Sequence, residues 1–265
     1  MRRFLPLGAM ATMMFLVPSG GLSAAAPSVA AGLFRPPVNV LSLDHSSVSS
    51  TNWSGYAVES SSEFTEAQGS WVQPTATCNE TVGATYASFW VGIDGYTSDS
   101  VEQLGTDSDC TAPGSPSYYA WWEMYPSASV DLSTSTYPVK PGDTLTGTVS
   151  RTADTYTLKL TSSRGWTFTT TQVGTDANSS AEWITEAPEV CTLVVCTGTQ
   201  LTDFGAVNDS ASEAAAGGSL EPISSFTTGG GPFEITMTTE TGSTEAQPSA
   251  LNSSGNGFSV TWEDG

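Results

Sequence analysis

Residues 89–105 read FWVGIDGYTSDSVEQLG. Aromatic and β-branched residues alternate at the start of this stretch, which is typical of a β-strand. Gly92 and Gly95 interrupt the pattern, and we expect the chain to turn there. A second short extended run follows at residues 100–104, and it carries the amide side chain of Gln103. The stretch therefore predicts two neighbouring strands at the centre of a β-rich fold.

Successive side chains of a strand point to opposite faces. Trp90 and Asp94 should therefore share one face of the first strand, while the other face is apolar and carries Phe89, Val91 and Ile93. An aromatic ring and a carboxylate above an apolar layer suggest the floor of a cleft over a core. A buried strand pair with incidental polar residues is the alternative.

Similar short segments recur along the chain, at residues 52–58, 69–74, 118–125, 144–150, 156–161, 166–171, 180–186, 233–239 and 257–262. Proline and glycine separate many of them, as at turns. Only residues 210–216 predict a short helix, which Gly217 and Gly218 would end. Many short strands with frequent turns predict an all-β fold, an antiparallel β-sandwich.

The N-terminal 50 residues differ from the rest. Residues 1–26 combine Arg2 and Arg3, an apolar run and small residues, which predicts a secretory signal peptide. The apolar run is too short to span a membrane. Residues 27–50 are predicted to be a leader or short pro-segment, and residues 51–265 a single secreted, extracellular domain.

The charge balance is strongly acidic. Only four of the seven Lys and Arg residues lie after residue 50, together with all but one of the 27 Asp and Glu residues. Self-repulsion destabilises a compact chain and fades as carboxylates protonate near their usual pKa of about 4. We expect adaptation to acid with loss of stability near neutral pH; adaptation to high salt is the alternative. Nucleic acid and membranes are not expected as partners, and we expect a monomer.

The four cysteines suit disulfides in a secreted protein. Cys191 and Cys196 are close enough in sequence to close a small loop, which leaves Cys78 for Cys110. A zinc site is the alternative, but the chain has no CxxC spacing and no histidine nearby. No metal and no cofactor is therefore expected.

Carboxylates also alternate with aromatic residues on two later strands. In residues 121–125 the first, third and fifth residues share a face, and in residues 181–186 the two glutamates do. We interpret these faces as the lining of one groove, formed by Trp90, Asp94, Trp121, Glu123, Tyr125, Glu182 and Glu186. Solvated outer strands of an acidic protein would also carry carboxylates.

The available side chains limit the chemistry. The only histidine, His45, lies in the leader, so Ser-His-Asp and Cys-His catalysis are excluded once the leader is removed. Two arrangements remain. Two glutamates could flank a glycosidic bond, or one glutamate could activate water while a neutral donor stabilises an oxyanion. The amide of Gln103 suits the second arrangement because it does not titrate in acid.

Eight segments resemble, in order, those of the glutamic peptidases (eqolisins, peptidase family G1): NWSGYAV (52–58), FWVGIDGY (89–96), EQLG (102–105), WWEMYP (121–126), PGDTL (141–145), AEWITEAP (181–188), LTDFG (201–205) and QPSAL (247–251). The resemblance implies an acid endopeptidase that hydrolyses polypeptides. It also implies a sandwich of two curved antiparallel sheets of the concanavalin A, lectin-like type, with the substrate groove on the concave face.

The same resemblance implies a catalytic pair, with Glu182 as general base and then acid, and Gln103 as stabiliser of the oxyanion. Trp90, Asp94, Glu123 and Tyr125 would line the site. Asp94 or Glu123 would orient Gln103, and Glu186 is the rival base.

Pro-segments of this family are typically longer and basic. Residues 27–50 offer only Arg35 and His45, so an electrostatic inhibitory role of the leader is not expected.

The main rival is a secreted carbohydrate-active protein of the same sandwich class, a glycosidase or a lectin-like binder. Its sugar-stacking residues would be Trp53, Trp71, Trp90, Trp121 and Trp122. An inert acidic surface protein is the third interpretation.

Overall fold

A computed structural model describes residues 32–44, 46–79, 83–112, 114–192 and 195–264. The predicted signal peptide and His45 lie outside these ranges. Within them the regular structure consists of strands and two 3-10 turns.

The first strands in chain order are β1 (Gly32–Phe34), β2 (Val40–Asp44), β3 (Ser47–Ser50), β4 (Trp53–Glu59), β5 (Glu66–Val72), β6 (Thr85–Tyr86), β7 (Ser88–Ile93), β8 (Val101–Ala112), β9 (Ser115–Tyr125), β10 (Val130–Asp131) and β11 (Thr144–Thr152). They are followed by β12 (Thr155–Ser162), β13 (Thr167–Val173), β14 (Ser180–Glu186), β15 (Glu189–Cys191), β16 (Cys196–Gly198), β17 (Gln200–Leu201), β18 (Ala206–Ala215), β19 (Glu221–Pro222), β20 (Phe233–Thr238), β21 (Thr244–Pro248) and β22 (Phe258–Trp262). The 3-10 turns are Ile223–Ser225 and Thr228–Gly230.

The long strands form two layers. Sheet A has the spatial order β10-β9-β8-β7-β14-β4-β20-β3-β2, antiparallel except where β20 runs parallel to β3. Sheet B has the order β13-β12-β11-β5-β18-β22-β21, antiparallel throughout. β21 also pairs with β20, so the two layers are joined at one corner. β1, β15 and β16 form a separate small sheet.

The main core lies between the two sheets. β5, β11 and β12 of sheet B contact β7 and β8 of sheet A without pairing with them. Trp71 on β5 donates from its indole nitrogen to the hydroxyl of Thr106 on β8 over 2.8 Å. Gly147 on β11 allows this close approach, since a Cβ there would lie 2.7 Å from Cγ1 of Val91. The predicted antiparallel β-sandwich is therefore confirmed.

A second apolar cluster covers the other face of sheet A, which we call the groove face. Its members include Trp53, Trp90, Trp121, Ile184 and Ile235. The main core instead contains the neighbours on the same strands, such as Phe89, Val91 and Ile93. The predicted alternation along residues 89–93 is therefore confirmed, and sheet A is buried on both faces.

The prediction of a helix at residues 210–216 is wrong, because this segment belongs to β18. Ser210 pairs with Ser70 and Glu213 with Gln68, so β18 has one extra residue between these pairs. The extra residue forms a β-bulge, in which Ala211 has φ 51°. Within this segment β18 pairs with β5 on one side and with β19 on the other, and this pairing overrides the weak local preference of Ala and Glu for helix.

The expected turn at Gly92 is wrong, because Gly92 lies inside β7. Only Gly95, with φ 107°, lies at the turn. The second extended run is also much longer than residues 100–104, since β8 continues to residue 112.

Candidate active site

One cross-strand row on sheet A brings the proposed catalytic pair together. Glu182 on β14 is directly opposite Gly92 on β7, which is opposite Gln103 on β8, which is opposite Glu123 on β9. Directly opposed residues of neighbouring strands point to the same face. Two strand spacings of about 4.8 Å separate the backbones of Glu182 and Gln103 by roughly 10 Å.

Gly92 keeps the floor between these two side chains open. A Cβ at this position would lie 3.2 Å from Cβ of Gln103 and 2.9 Å from the ring of Trp90. The missing side chain leaves space on the groove face for a peptide group between a carboxyl and a carboxamide.

Gln103 is fully buried, and its amide is held by two acceptors. Nε2 donates to the backbone carbonyl of Arg35 over 2.7 Å and to Oε2 of Glu123 over 3.3 Å. A backbone carbonyl oxygen can only accept, so the amide must present its NH₂ group to Arg35. Of the two residues expected to orient Gln103, Glu123 makes the contact.

Asp94 contacts the residues before β14 and does not contact Gln103. Its carboxylate accepts hydrogen bonds from the backbone N–H groups of Asn178 over 2.6 Å and Ser179 over 2.8 Å. These residues directly precede β14, which carries Glu182. Asp94 therefore fixes the start of the strand that positions Glu182, and its contacts do not reach Gln103.

Glu182 is buried, and by ordinary geometric limits neither of its carboxylate oxygens has a hydrogen-bond partner among the described residues. Burial raises the pKa of Glu182 well above its usual value, and the charge of Asp94 adds to this. The hydroxyl of Ser180 and the N–H of Tyr96 oppose the increase. This carboxyl is a candidate for proton exchange with a ligand.

Glu186, the rival base, is tied to the protein. Its Oε2 accepts a hydrogen bond of 2.8 Å from the indole nitrogen of Trp90. Burial raises the pKa of Glu186 well above its usual value, against the opposing charge of Arg35. Trp90 in turn packs edge-on against Trp53 at 4.9 Å between ring centroids. These contacts favour a structural role for Glu186.

Of two further predicted residues, Glu123 belongs to the row and Tyr125 follows it by two positions on β9. Burial raises the pKa of Glu123 to about 8, although the charge and the N–H group of Arg35 lower it. Tyr125 is half-buried and packs at the edge of the groove-face cluster.

Arg35 and Asp107, which no sequence pattern had assigned to the site, meet in this groove. A guanidinium nitrogen of Arg35 lies 2.6 Å from Oδ2 of Asp107, and both side chains are fully buried. Alternation could have identified Asp107, because it follows Gln103 by four residues on the same strand. Nothing local in the sequence indicates where Arg35 lies.

Both disulfides of the favoured pairing, Cys78–Cys110 and Cys191–Cys196, are present. Among the described residues, Glu189, Cys191 and Cys196 form one cluster of potential metal ligands. The two cysteines of this cluster are bonded to each other, so neither offers a thiolate to zinc. Across all the residues that the structure describes, no helix has the length and hydropathy that crossing a membrane requires.

The model of the Peptidase A4 family matches residues 51–261. The chain belongs to the Peptidase A4 family. The match confirms the resemblance to the glutamic peptidases, and the cross-strand row lies within the matched residues.

Two curated proteins are similar to this A4-family chain. Aspergillopepsin-2 of Aspergillus niger is 31% identical over 194 residues, a match covering 64% of this chain and 66% of that protein. Scytalidopepsin B of Scytalidium lignicola is 32% identical over 169 residues, covering 61% of each. The chain thus spans slightly less than two thirds of the length of these relatives.

The fold also resembles that of scytalido-glutamic peptidase, whose crystal structure contains a peptide-based transition state analog. The TM-score is 0.67 at 22% identity, and the match covers 80% of this chain and 98% of that one. This likeness supports the fold of the A4-family chain.

Proposed function

We propose that this chain is a secreted acid endopeptidase, with Glu182 as general base and acid and Gln103 as oxyanion donor. One observation carries the proposal. The amide of Gln103 donates to a backbone carbonyl lying in the groove, while Glu182 is on the same face across Gly92. This is the arrangement that attack of water on a peptide carbonyl requires.

The reaction follows from the two side chains. Ionised Glu182 takes a proton from water as the water oxygen bonds to the scissile carbon. The carbonyl oxygen becomes an oxyanion, which the Gln103 amide stabilises. When the C–N bond breaks, Glu182 returns its proton to the leaving nitrogen. Glu123 keeps the Gln103 amide directed at the oxyanion.

Glu182 must be ionised to act as a base, and burial in the occupied groove opposes this by raising its pKa. Burial raises the pKa of Glu123 to about 8 and that of Glu186 well above its usual value, so both are neutral in acid, and the negative charge that raises the pKa of Glu182 is that of Asp94. Burial is also the largest cause of the raised pKa of Glu182. Since residues before the matched domain fill the groove, water entering on their departure would lower this pKa.

We extend the proposal to compartment and maturation. Residues 1–26 would be a signal peptide, residues 27–50 a leader or short pro-segment, and residues 51–265 the peptidase domain, acting as a monomer on polypeptides. Two disulfides suit an oxidising, extracellular compartment.

The burial of the tryptophans argues against the carbohydrate-active alternative. Trp53, Trp71, Trp90 and Trp121 are each at most 2% exposed. Trp122 is half-buried against the main core. With the segment around Arg35 in the groove, none of these rings offers an open face on which a sugar could stack.

The test compares Glu182→Gln with Glu186→Gln, a matched change on the same face of the same strand. Hydrolysis of a denatured protein at pH 2 to 6 should fall at least about a hundredfold in Glu182→Gln, because general base catalysis contributes about that much or more. Glu186→Gln should retain most of the activity.

Thermal unfolding of both variants verifies that they fold, and a polysaccharide serves as the second substrate. Full activity of folded Glu182→Gln, or release of sugars without proteolysis, would overturn the assignment.

A further inference from the structure

The segment before the family domain lies in the groove as a bound peptide would. The indole nitrogen of Trp53 donates to the carbonyl of Pro36, and the amide of Asn52 donates to the carbonyl of Pro37, both over 3.1 Å. The N–H of Val38 donates to the carbonyl of Gly95, also over 3.1 Å. On the N-terminal side, β1 pairs with β15. Backbone hydrogen bonds therefore hold the segment on both sides of Arg35.

Arg35 occupies the reacting position of this peptide. Its carbonyl oxygen lies 2.7 Å from Nε2 of Gln103, and its N–H donates to Oε2 of Glu123 over 3.1 Å. Under the proposed mechanism, the carbonyl that contacts Gln103 belongs to the bond that is cleaved. The side chain of Arg35 thus marks the subsite for the residue on the N-terminal side of that bond.

Three residues of the subsite contact the guanidinium group of Arg35. Nε of Arg35 donates to Oγ of Ser88 over 2.9 Å, and a terminal nitrogen donates to Oδ2 of Asp107 over 2.6 Å. The guanidinium carbon lies 3.6 Å from the ring centroid of Trp121. The contacts combine a charged pair, a hydroxyl acceptor and an aromatic face, which together suit arginine.

The pocket is held in place by its own residues. The Asp107 carboxylate also accepts hydrogen bonds from the indole of Trp121 over 2.6 Å and the hydroxyl of Tyr119 over 2.8 Å. These residues lie on β8 and β9 within the family match, whereas Arg35 precedes it. A buried carboxylate deprived of its cation is costly. A substrate that brings a cation into the pocket restores the pair.

We propose that Asp107, Ser88 and Trp121 form a specificity pocket for arginine, and less well for lysine, on the N-terminal side of the cleaved bond. The inference rests on the proposed peptidase function. Lysine would pair with Asp107, but its compact ammonium lacks the planar group that stacks on Trp121.

Pro36 explains how the segment can occupy the groove without being cleaved. The nitrogen of the bond after Arg35 carries a ring carbon where other residues carry hydrogen. The ring crowds the leaving nitrogen, to which Glu182 must deliver its proton. Arg35 thus presents its side chain to the pocket while the bond after it resists cleavage.

The main test uses the secreted full chain in acid and peptides that differ only at the residue before the cleaved bond. Arginine is compared with citrulline, which has nearly the same shape without the charge, and with lysine and methionine. We expect kcat/KM for arginine to exceed that for citrulline at least about tenfold, the scale of a buried charge-assisted hydrogen bond. A ratio near one would overturn the pocket.

Two variants locate the preference. Asp107→Asn should abolish the arginine-to-citrulline ratio. Asp143→Asn is the matched control, because Asp143 also binds an arginine, Arg164, but outside the groove; its ratio should be unchanged. If Asp107→Asn shows no cooperative thermal transition, Ser88→Ala replaces it and should lower the arginine-to-methionine ratio, because methionine lacks the N–H group that Ser88 accepts.

A cleavage within the chain separates the two proposals. In Pro36→Ala the bond after Arg35 becomes ordinary, and intact-mass analysis should detect its hydrolysis in acid. The same substitution combined with Glu182→Gln should remain uncut. Peptide hydrolysis without preference for arginine overturns only the pocket. Absence of all hydrolysis, including that of the bond after Arg35, overturns the peptidase function itself.

Discussion

Glu102 is a buried acid, and its replacement by glutamine should make the protein more tolerant of neutral pH. The side chain is 1% exposed. Burial raises its pKa from 4.5 to about 10, and the negative charges of Asp94 and Asp176 add to the effect. Because the folded-state pKa is raised, the carboxyl contributes its full stability below about pH 4.5. That contribution is lost as the pH rises toward the folded-state pKa.

The size of the effect follows from linkage. Each pH unit between the unfolded-state and folded-state pKa costs about 1.4 kcal/mol. From pH 4.5 to 7, Glu102 alone therefore lowers the free energy of unfolding by about 3 kcal/mol, a large fraction of the usual 5–15 kcal/mol. Glutamine does not titrate, and its amide can donate to Asp176 as the protonated acid does.

Denaturant unfolding at pH 4 and pH 7 measures this difference. The wild-type chain should lose about 3 kcal/mol more than Glu102→Gln between the two pH values, while the two proteins should be similar at pH 4. Glu240→Gln, a change of an exposed carboxylate, is the control and should behave as the wild type does. Equal losses in Glu102→Gln and the wild type would refute the reasoning.

Two further changes test the groove floor and a disulfide. Gly92→Ala places a methyl group 2.9 Å from the ring of Trp90 and 3.2 Å from Cβ of Gln103; we expect kcat to fall about a hundredfold, and an unchanged kcat in a folded variant would contradict the proposed site. Replacing Cys78 and Cys110 together by serine opens a loop with a sequence separation of 32; loop-closure entropy predicts a loss of about 3–4 kcal/mol in unfolding free energy, and denaturant titrations of both proteins would show whether that loss is absent.

Much of sheet A could be predicted from local patterns. The strand at Ser180–Glu186 has the predicted bounds, and Trp90 lies on the face opposite Val91 as the alternation requires. Such patterns succeed because a strand buried between two layers must alternate its side chains whatever its partners are. They fail at β18, where hydrogen bonds to two neighbouring strands outweigh local preference.

The candidate site divides in the same way. The period of two along each strand placed Glu182 and Glu186 together, and nothing more than the sequence was needed for that. Only the register between strands decided that Gly92 separates Glu182 from Gln103, because register depends on the partners of each strand. Arg35 and Asp107 are far apart in the sequence, and no local pattern predicts their contact. Contacts between residues distant in sequence depend on how the sheets and the N-terminal segment pack. Only the tertiary structure therefore decided that this segment occupies the groove.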